Sequence, residues 1–162
     1  MTSQVKKRAR PPALFDLWRH RVPATARTMF RLPQGFHQAE SVMEEAQHLA
    51  DRYAAVWNET DPERRRRAIA ALWVRDGEHY VGTREVRGYD ALEQRITGSH
   101  EKNVRDGGHR FRAAQDARAL RDVVTFHWEM LPAHSEEVVA TGLEILVTDG
   151  RGRIRIDYQF VL

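Results

Sequence analysis

After Asp106-Gly107-Gly108 the chain runs through four stretches of β-branched and aromatic residues whose links are too short to hold a crossover helix. His109 to Gln115, Leu120 to Leu131, Glu137 to Thr148 and Arg153 to Val161 are the expected strands, rich in Val, Ile, Phe, Trp and Thr. Their links include Pro132 to Glu136 and Asp149-Gly150-Arg151-Gly152, so neighbouring strands pair antiparallel. A long meander of this kind has one face to bury, and whatever precedes it in the chain must cover that face.

The preceding segment is helical. From about Gln38, apolar residues recur at Val42, Ala46, Leu49, Tyr53 and Val56 or Trp57, while Glu44, Glu45, His48, Asp51 and Arg52 fall on the opposite side. Asp61 can cap a second helix with Pro62 at its first position, and Ala68, Ile69, Leu72 and Trp73 form its apolar stripe. Arg64-Arg65-Arg66-Arg67 spans a full turn there, so part of the run must face the side nearest the core. Asp76-Gly77 is read as the end of that helix. Two short strands then follow, at Glu78 to Val81 and around Val86, and a third helix from Tyr89 to about Lys102 carries Tyr89, Leu92 and Ile96 in phase. Helices first and a meander last define an α+β class.

Charge divides the chain. Residues 1–36 hold eight Lys or Arg against the single acid Asp16, whereas the rest, out of 26 basic and 23 acidic residues in all, is net acidic. With Pro11, Pro12, Pro23 and Pro33 and no apolar period, residues 1–36 read as a basic arm, and 37–162 as one domain. The stretch Ala13 to His20 is broken by Asp16 and Arg19, which argues against an export signal; Met29 and Met43 are alternative starts. No apolar run approaches the length of a membrane span. The sequence has no cysteine, which excludes disulfides and thiolate chemistry and suits a cytoplasmic setting. Its eight histidines show no His-Glu-x-x-His spacing, so neither a metal nor another cofactor is expected. Gly150-x-Gly152 lacks the third glycine of a dinucleotide loop and is a hairpin turn; Ser99-His100 is read as helix surface.

Five local strings, in this order and spacing, resemble the SnoaL-like (polyketide-cyclase-like) branch of the nuclear transport factor 2-like superfamily. They are Tyr53-x-x-x-Trp57-Asn58-Glu59-x-Asp61, Ala71-Leu72-Trp73-x-x-Asp76, Val86-x-Gly88-x-x-Ala91-Leu92, Phe126-x-Trp128, and Gly142 followed by Asp149-Gly150-x-Gly152-Arg153-Ile154. The match covers about Met43 to Leu162. The resemblance implies a cone in which a strongly curved sheet wraps the helices, with a cavity between the long first helix and the concave face. It also implies a homodimer through the sheet's outer face. Members of the family include isomerases, dehydratases, epoxide hydrolases, cyclases and non-enzymatic modules, so the fold leaves the activity open. Many of them carry an acidic residue followed by Pro just after the first strand's aromatic; this chain has Tyr80-Val81-Gly82-Thr83, and no role is carried over to that point.

Acid–base chemistry in an apolar pocket needs a titratable group whose pKa burial can move toward the working pH. His79, His109, Asp157 and Glu144 are the candidates, the first three as catalytic groups and Glu144 as a pocket residue. Strict alternation puts Ile154, Ile156, Tyr158 and Phe160 on one face and Arg155, Asp157 and Gln159 on the other. If the apolar face is the core, Asp157 lies outside; if the other face looks into the cavity, Asp157 is the best general base in the chain. Glu144 presents the same choice. Tyr53, Trp57, Trp73, Tyr80, Phe126 and Trp128 would wall a pocket for a small apolar or aromatic ligand, and core packing explains them equally well. The leading expectation is a small-molecule pocket protein, with cofactor-free isomerase, cyclase, dehydratase or hydrolase activity. The alternative is a non-catalytic binding or dimerisation module. Nucleic-acid binding by the basic arm is a distant third.

Overall fold

The computed structural model describes residues 34–162, so the arm expected at residues 1–36 falls almost wholly outside the described residues. Helix α1 (Gln34–Asn58) begins slightly before the expected helix start. It is followed by α2 (Pro62–Leu72), β1 (Trp73–Val81), β2 (Arg84–Arg87) and α3 (Tyr89–Ser99). A π-helix (His100–Arg105) and strands β3 (His109–Ala113), β4 (Arg118–Leu120), β5 (Val123–Pro132), β6 (Ala140–Thr148) and β7 (Ile154–Val161) complete the order. No helix among the described residues is long and apolar enough to cross a membrane.

The sheet runs β2-β1-β7-β6-β5-β3, with β4 also paired to β5. Every pair is antiparallel except β1 with β7, which is parallel. Helix α1 lies on the inner face and touches strands far apart in that order. Tyr53 reaches Asp157 of β7, while the Asn58 amide both accepts from the Phe111 N–H (2.8 Å) and donates to the Phe111 carbonyl (2.7 Å) of the edge strand β3. One turn of a helix can meet both strands only if the sheet curls around it, and the fold is therefore the expected cone. Gln47 fastens the same helix further along, donating to the Ala114 carbonyl and accepting from the Ala117 N–H. Its apolar stripe buries Ala46, Leu49, Tyr53 and Trp57 against Trp73, Phe126 and Ile154. Each fully buried aromatic or aliphatic side chain contributes about 1.5–3 kcal/mol relative to exposure.

Several elements depart from the expected boundaries, each for a local reason. Asp61 caps α2 as its spacing suggests, accepting from the Arg64 N–H at 2.8 Å, and Arg65 is the member of the arginine run that turns inward, donating to the Glu59 carbonyl. The helix ends at Leu72, however, and Trp73 opens β1 with extended backbone, so Trp73 is a strand residue and Asp76-Gly77 lies inside β1. Helix α3 stops at Ser99 and widens into the π-helix, where His100 is buried with Nδ1 3.2 Å from the Trp57 carbonyl. Ser99-His100 is therefore not helix surface. The strand expected to begin at Leu120 is two, β4 and β5, joined by the two-residue turn Arg121-Asp122, with Arg121 at φ 57°.

The most consequential departure is in β7. Consecutive β6 residues Val147 and Thr148 face Ile156 and Ile154, so Arg155 is an extra residue in β7, a β-bulge. The bulge shifts the inward phase: Ile154 and Asp157 are both buried, whereas Tyr158 and Phe160 are exposed. Alternation that places Ile154, Tyr158 and Phe160 on one buried face is overturned at this point.

Gly142 of β6 sits opposite Trp128 of β5, and the Trp128 ring lies where a Cβ on Gly142 would be, with the Phe160 carbonyl on its other side. Gly142→Ala is expected to destabilise the protein by about 1–3 kcal/mol through overpacking. Urea unfolding of the two proteins measures this.

Candidate functional site

The inner face of the sheet can be read as rungs. His79 of β1, Asp157 of β7, Leu146 of β6 and Val124 of β5 stand opposite one another in register. The next rung holds Val81, Gln159, Glu144 and Phe126. Asp157 and Glu144 are thus diagonal neighbours on adjacent strands and share the inner face, a placement that puts side chains within interaction range. Both are fully buried, as is His79.

Tyr53 descends from α1 onto the first of these rungs. Its O–H donates to Asp157 Oδ2 at 2.9 Å, and His79 Nδ1 lies 2.8 Å from the same oxygen. In the tautomer with hydrogen on Nδ1, both partners donate and Asp157 is the acceptor of a three-residue network. Gln159 donates from Nε2 to Glu144 Oε1 at 2.7 Å and accepts on Oε1 from Arg95 Nη2 at 3.2 Å. Two chains of polar contacts therefore run from the helices into the sheet, Tyr53 to Asp157 to His79 and Arg95 to Gln159 to Glu144.

Burial, followed by the Asp157 carboxyl beside it, holds Glu144 well above the usual carboxylate range. The neutral form of Glu144 is therefore favoured over a wider pH range than that of an exposed glutamate. The Tyr53 phenol is likewise pushed well above its ordinary value, first by burial and then by Asp157 and Glu144, so it stays protonated and donating. Arg95, half-buried, has its charge disfavoured by burial first. Its guanidinium carbon stands 4.9 Å from the Trp57 ring centre, a cation–π contact.

These groups border a cavity of about 310 Å³. Helix α1 contributes Tyr53, Ala54 and Trp57 to its wall; α3 and the π-helix contribute Arg95, Ser99, Lys102 and Asn103; the sheet contributes Phe111, Trp128 and Gln159 among others. Phe111 and Trp128 meet edge to face with ring centres 6.0 Å apart. Asp157, His79 and Glu144 are not part of this lining; Asp157 meets it through Tyr53 and His79 through the Trp57 ring, 5.8 Å away.

Of the residues picked from sequence, the structure brings His79, Asp157, Glu144 and Tyr53 together and places Tyr53, Trp57 and Trp128 on the cavity wall. Trp73 and Phe126 are core, each with its ring 5.5 Å from that of Tyr53. Tyr80 faces away. It stacks on Tyr158 at 5.4 Å and donates to Glu78 Oε2, because the residue after inward-facing His79 must point outward. His109 is on β3 at the opposite edge from β1, with Nδ1 3.3 Å from the Asn103 carbonyl, and does not join the network. Arg95 and Gln159 were not picked. Gln159 could have been, since it shares a strand face with Asp157.

No protein-family model matches the chain, and no curated protein matches it. Solved structures do. A SnoaL-like family protein from Agrobacterium tumefaciens str. C58, proposed to be an isomerase, superposes with a TM-score of 0.65 at 23% identity over 74% of this chain and 98% of its own. A Sinorhizobium meliloti protein proposed to be a polyketide cyclase gives 0.55 at 10% identity, over 72% and 97%. An NTF2-like protein from Novosphingobium aromaticivorans gives 0.56 at 22% identity, over 79% and 86%.

A carboxyl whose folded pKa is raised favours the folded state below its unfolded pKa and loses that contribution as pH rises through the folded value. For Glu144 the loss begins near the ordinary value of 4.5 and continues upward. Glu144→Gln removes the titration, so its melting temperature relative to wild type is expected to be higher at pH 8 than at pH 4. Thermal unfolding at the two pH values measures this.

Proposed function

We propose, for a chain with the nuclear transport factor 2-like fold that SnoaL-like proteins share, a small-molecule pocket protein that moves a proton on its ligand without a cofactor. The observation that carries this reading is the Tyr53–Asp157–His79 network, whose Tyr53 lines an aromatic-walled cavity, with Glu144 beside it held well above the usual carboxylate range.

Tyr53 is the member that lines the cavity, and Asp157 is the base behind it. As a ligand C–H next to a carbonyl gives its proton to the Tyr53 oxygen, the Tyr53 O–H proton passes to Asp157 Oδ2. The C–H bonding electrons remain on the ligand as an enolate, and Asp157 becomes neutral. The transfer is concerted, so no free phenolate has to form where burial and two carboxyls disfavour one. His79 holds the orientation of Asp157, and burial disfavours a second charge at Glu144. Reversal of the relay toward a different ligand carbon completes an isomerisation. Of the catalytic residues expected from sequence, this mechanism uses Asp157 and His79 and leaves out His109, which stands on the far edge strand. We place the protein in the cytoplasm, whose reducing conditions suit a cysteine-free chain.

The test is solvent-deuterium incorporation into a panel of enolisable aryl ketones, followed by NMR. Tyr53→Phe and Asp157→Asn are each expected to lower the exchange rate by about 10²–10⁴-fold, the usual worth of a positioned acid–base group. Circular dichroism reports whether each variant is folded. Unchanged exchange in folded variants would refute the relay.

A second reading, assembly, is favoured by the outer face of the sheet. There Leu143 pairs with Phe160, Ile145 with Tyr158 and Val147 with Ile156, and Tyr158 pairs onward with Tyr80, an apolar band across β6, β7 and β1 with Tyr158 and Phe160 exposed. Two copies related by a two-fold axis would bring this band against itself. Sedimentation of the full chain is expected to give a dimer, and Phe160→Glu with Tyr158→Lys a monomer with the same far-ultraviolet spectrum.

A further inference from the structure

The mouth of the cavity is basic. Two surface clefts of about 600 and 620 Å³ adjoin the cavity, and all three share Arg95. Arg84 lines both clefts, and Lys102 lines the cavity and one cleft. No Asp or Glu lines any of the three among the described residues. Neither Arg84 nor Lys102 forms an ion pair among the described residues, and Arg84 is near enough to Arg95 to disfavour its charge, secondary to burial.

Gln159, whose two amide ends are taken up by Arg95 and Glu144, offers the guanidinium no further acceptor. One face of the Arg95 guanidinium is covered by Trp57, Nε is buried, and one Nη2 bond goes to Gln159, which leaves the Nη1 hydrogens for a ligand. Planar guanidinium hydrogens match a carboxylate in direction as well as in charge. The cavity volume of about 310 Å³ is at the small end for ligand sites, room for one ring and a short chain.

We infer that the ligand is a small monocarboxylate whose carboxylate binds Arg95 at the cavity mouth and whose apolar or aromatic body lies among Trp57, Phe111 and Trp128. This rests on reading the cavity as a ligand pocket and is independent of the proton relay. It narrows the expected apolar ligand to an amphipathic anion. Arg84 in the adjoining clefts and Lys102 on the cavity wall add to the attraction that draws the anion in before contact, an effect that weakens with salt. With its carboxylate at Arg95, the ligand would present its body toward Tyr53, on the same wall.

The test is calorimetric titration of the full chain with matched pairs of acid and primary amide, beginning with 3-phenylpropanoate and 3-phenylpropanamide, and with inorganic phosphate as a third probe. Each acid is expected to bind at least tenfold more tightly than its amide, and Arg95→Gln to abolish the difference while Arg95→Lys retains part of it. The indole N–H resonances of Trp57 and Trp128 are expected to shift on adding the acid to wild type. Equal binding of acid and amide, no binding by any acid of the panel, or an unchanged preference in folded Arg95→Gln would overturn the assignment. Phosphate binding as tight as the acids would overturn carboxylate selectivity. Because the readout is binding, the two proposals separate on the wild-type chain: acid preference without any deuterium exchange would support this assignment and refute the relay.

Discussion

One additional residue in β7 determines what the interior of this protein can do. Without the bulge at Arg155, the phase set by Ile154 would carry Tyr158 and Phe160 inward and turn Asp157 and Gln159 out to solvent. With it, a strand anchored in the core at Ile154 delivers a carboxylate and an amide to the inner face three and five residues later. The parallel pairing of β1 then sets His79 directly beside Asp157, and the antiparallel pairing of β6 sets Glu144 beside Gln159. The outward-turned aromatics are the other consequence, since they form the apolar band on the sheet's far side. A buried polar network and an exposed apolar face arise from the same local irregularity.

A network of this sort is expensive in an interior that could have been apolar. Two carboxyls, an imidazole and a phenol are removed from water together, and a buried polar network is tolerable only when its members satisfy one another. Here Asp157 receives two donors, Glu144 receives one from Gln159, and burial beside Asp157 favours the neutral form of Glu144. His79 Nε2 has no hydrogen-bond partner among the described residues, while the Glu144 and Asp157 carboxyls bond each other. Two carboxyls and an imidazole buried side by side are costlier than apolar residues in the same space, and their concentration behind the cavity wall is the physical reason for reading the region as functional.

The architecture was legible because its signals are periodic. The α1 stripe from Ala46 to Trp57, the Asp61-Pro62 cap and the short links between the last strands each obey a local rule, and together they leave an α+β cone. What escaped was non-periodic. Nothing in Arg155 marks a bulge, so the burial of Asp157 could be posed as an alternative and not decided. Trp73 fits a helical stripe and a strand start equally, and the extended conformation at its position is set by packing. Tyr80 is different, because its exclusion was available in advance: adjacent strand residues face opposite ways, and His79 and Tyr80 could not both look into one pocket. His109 stands apart from the Tyr53–Asp157–His79 network for a long-range reason, since strand order, invisible in the sequence, puts β3 at the far side of the sheet from β1. Arg95 was hidden by its residue type. A charged side chain beside the Leu92 and Ile96 stripe reads as solvent-facing until its neighbours are known.

The account depends most directly on a glutamate held neutral by burial beside a second carboxyl. A pH titration of side-chain carboxyl ¹³C resonances, with Glu144 assigned through Glu144→Gln, observes it individually. The account predicts that Glu144 titrates well above the ordinary glutamate value of 4.5. Titration of Glu144 at or below that value would contradict it.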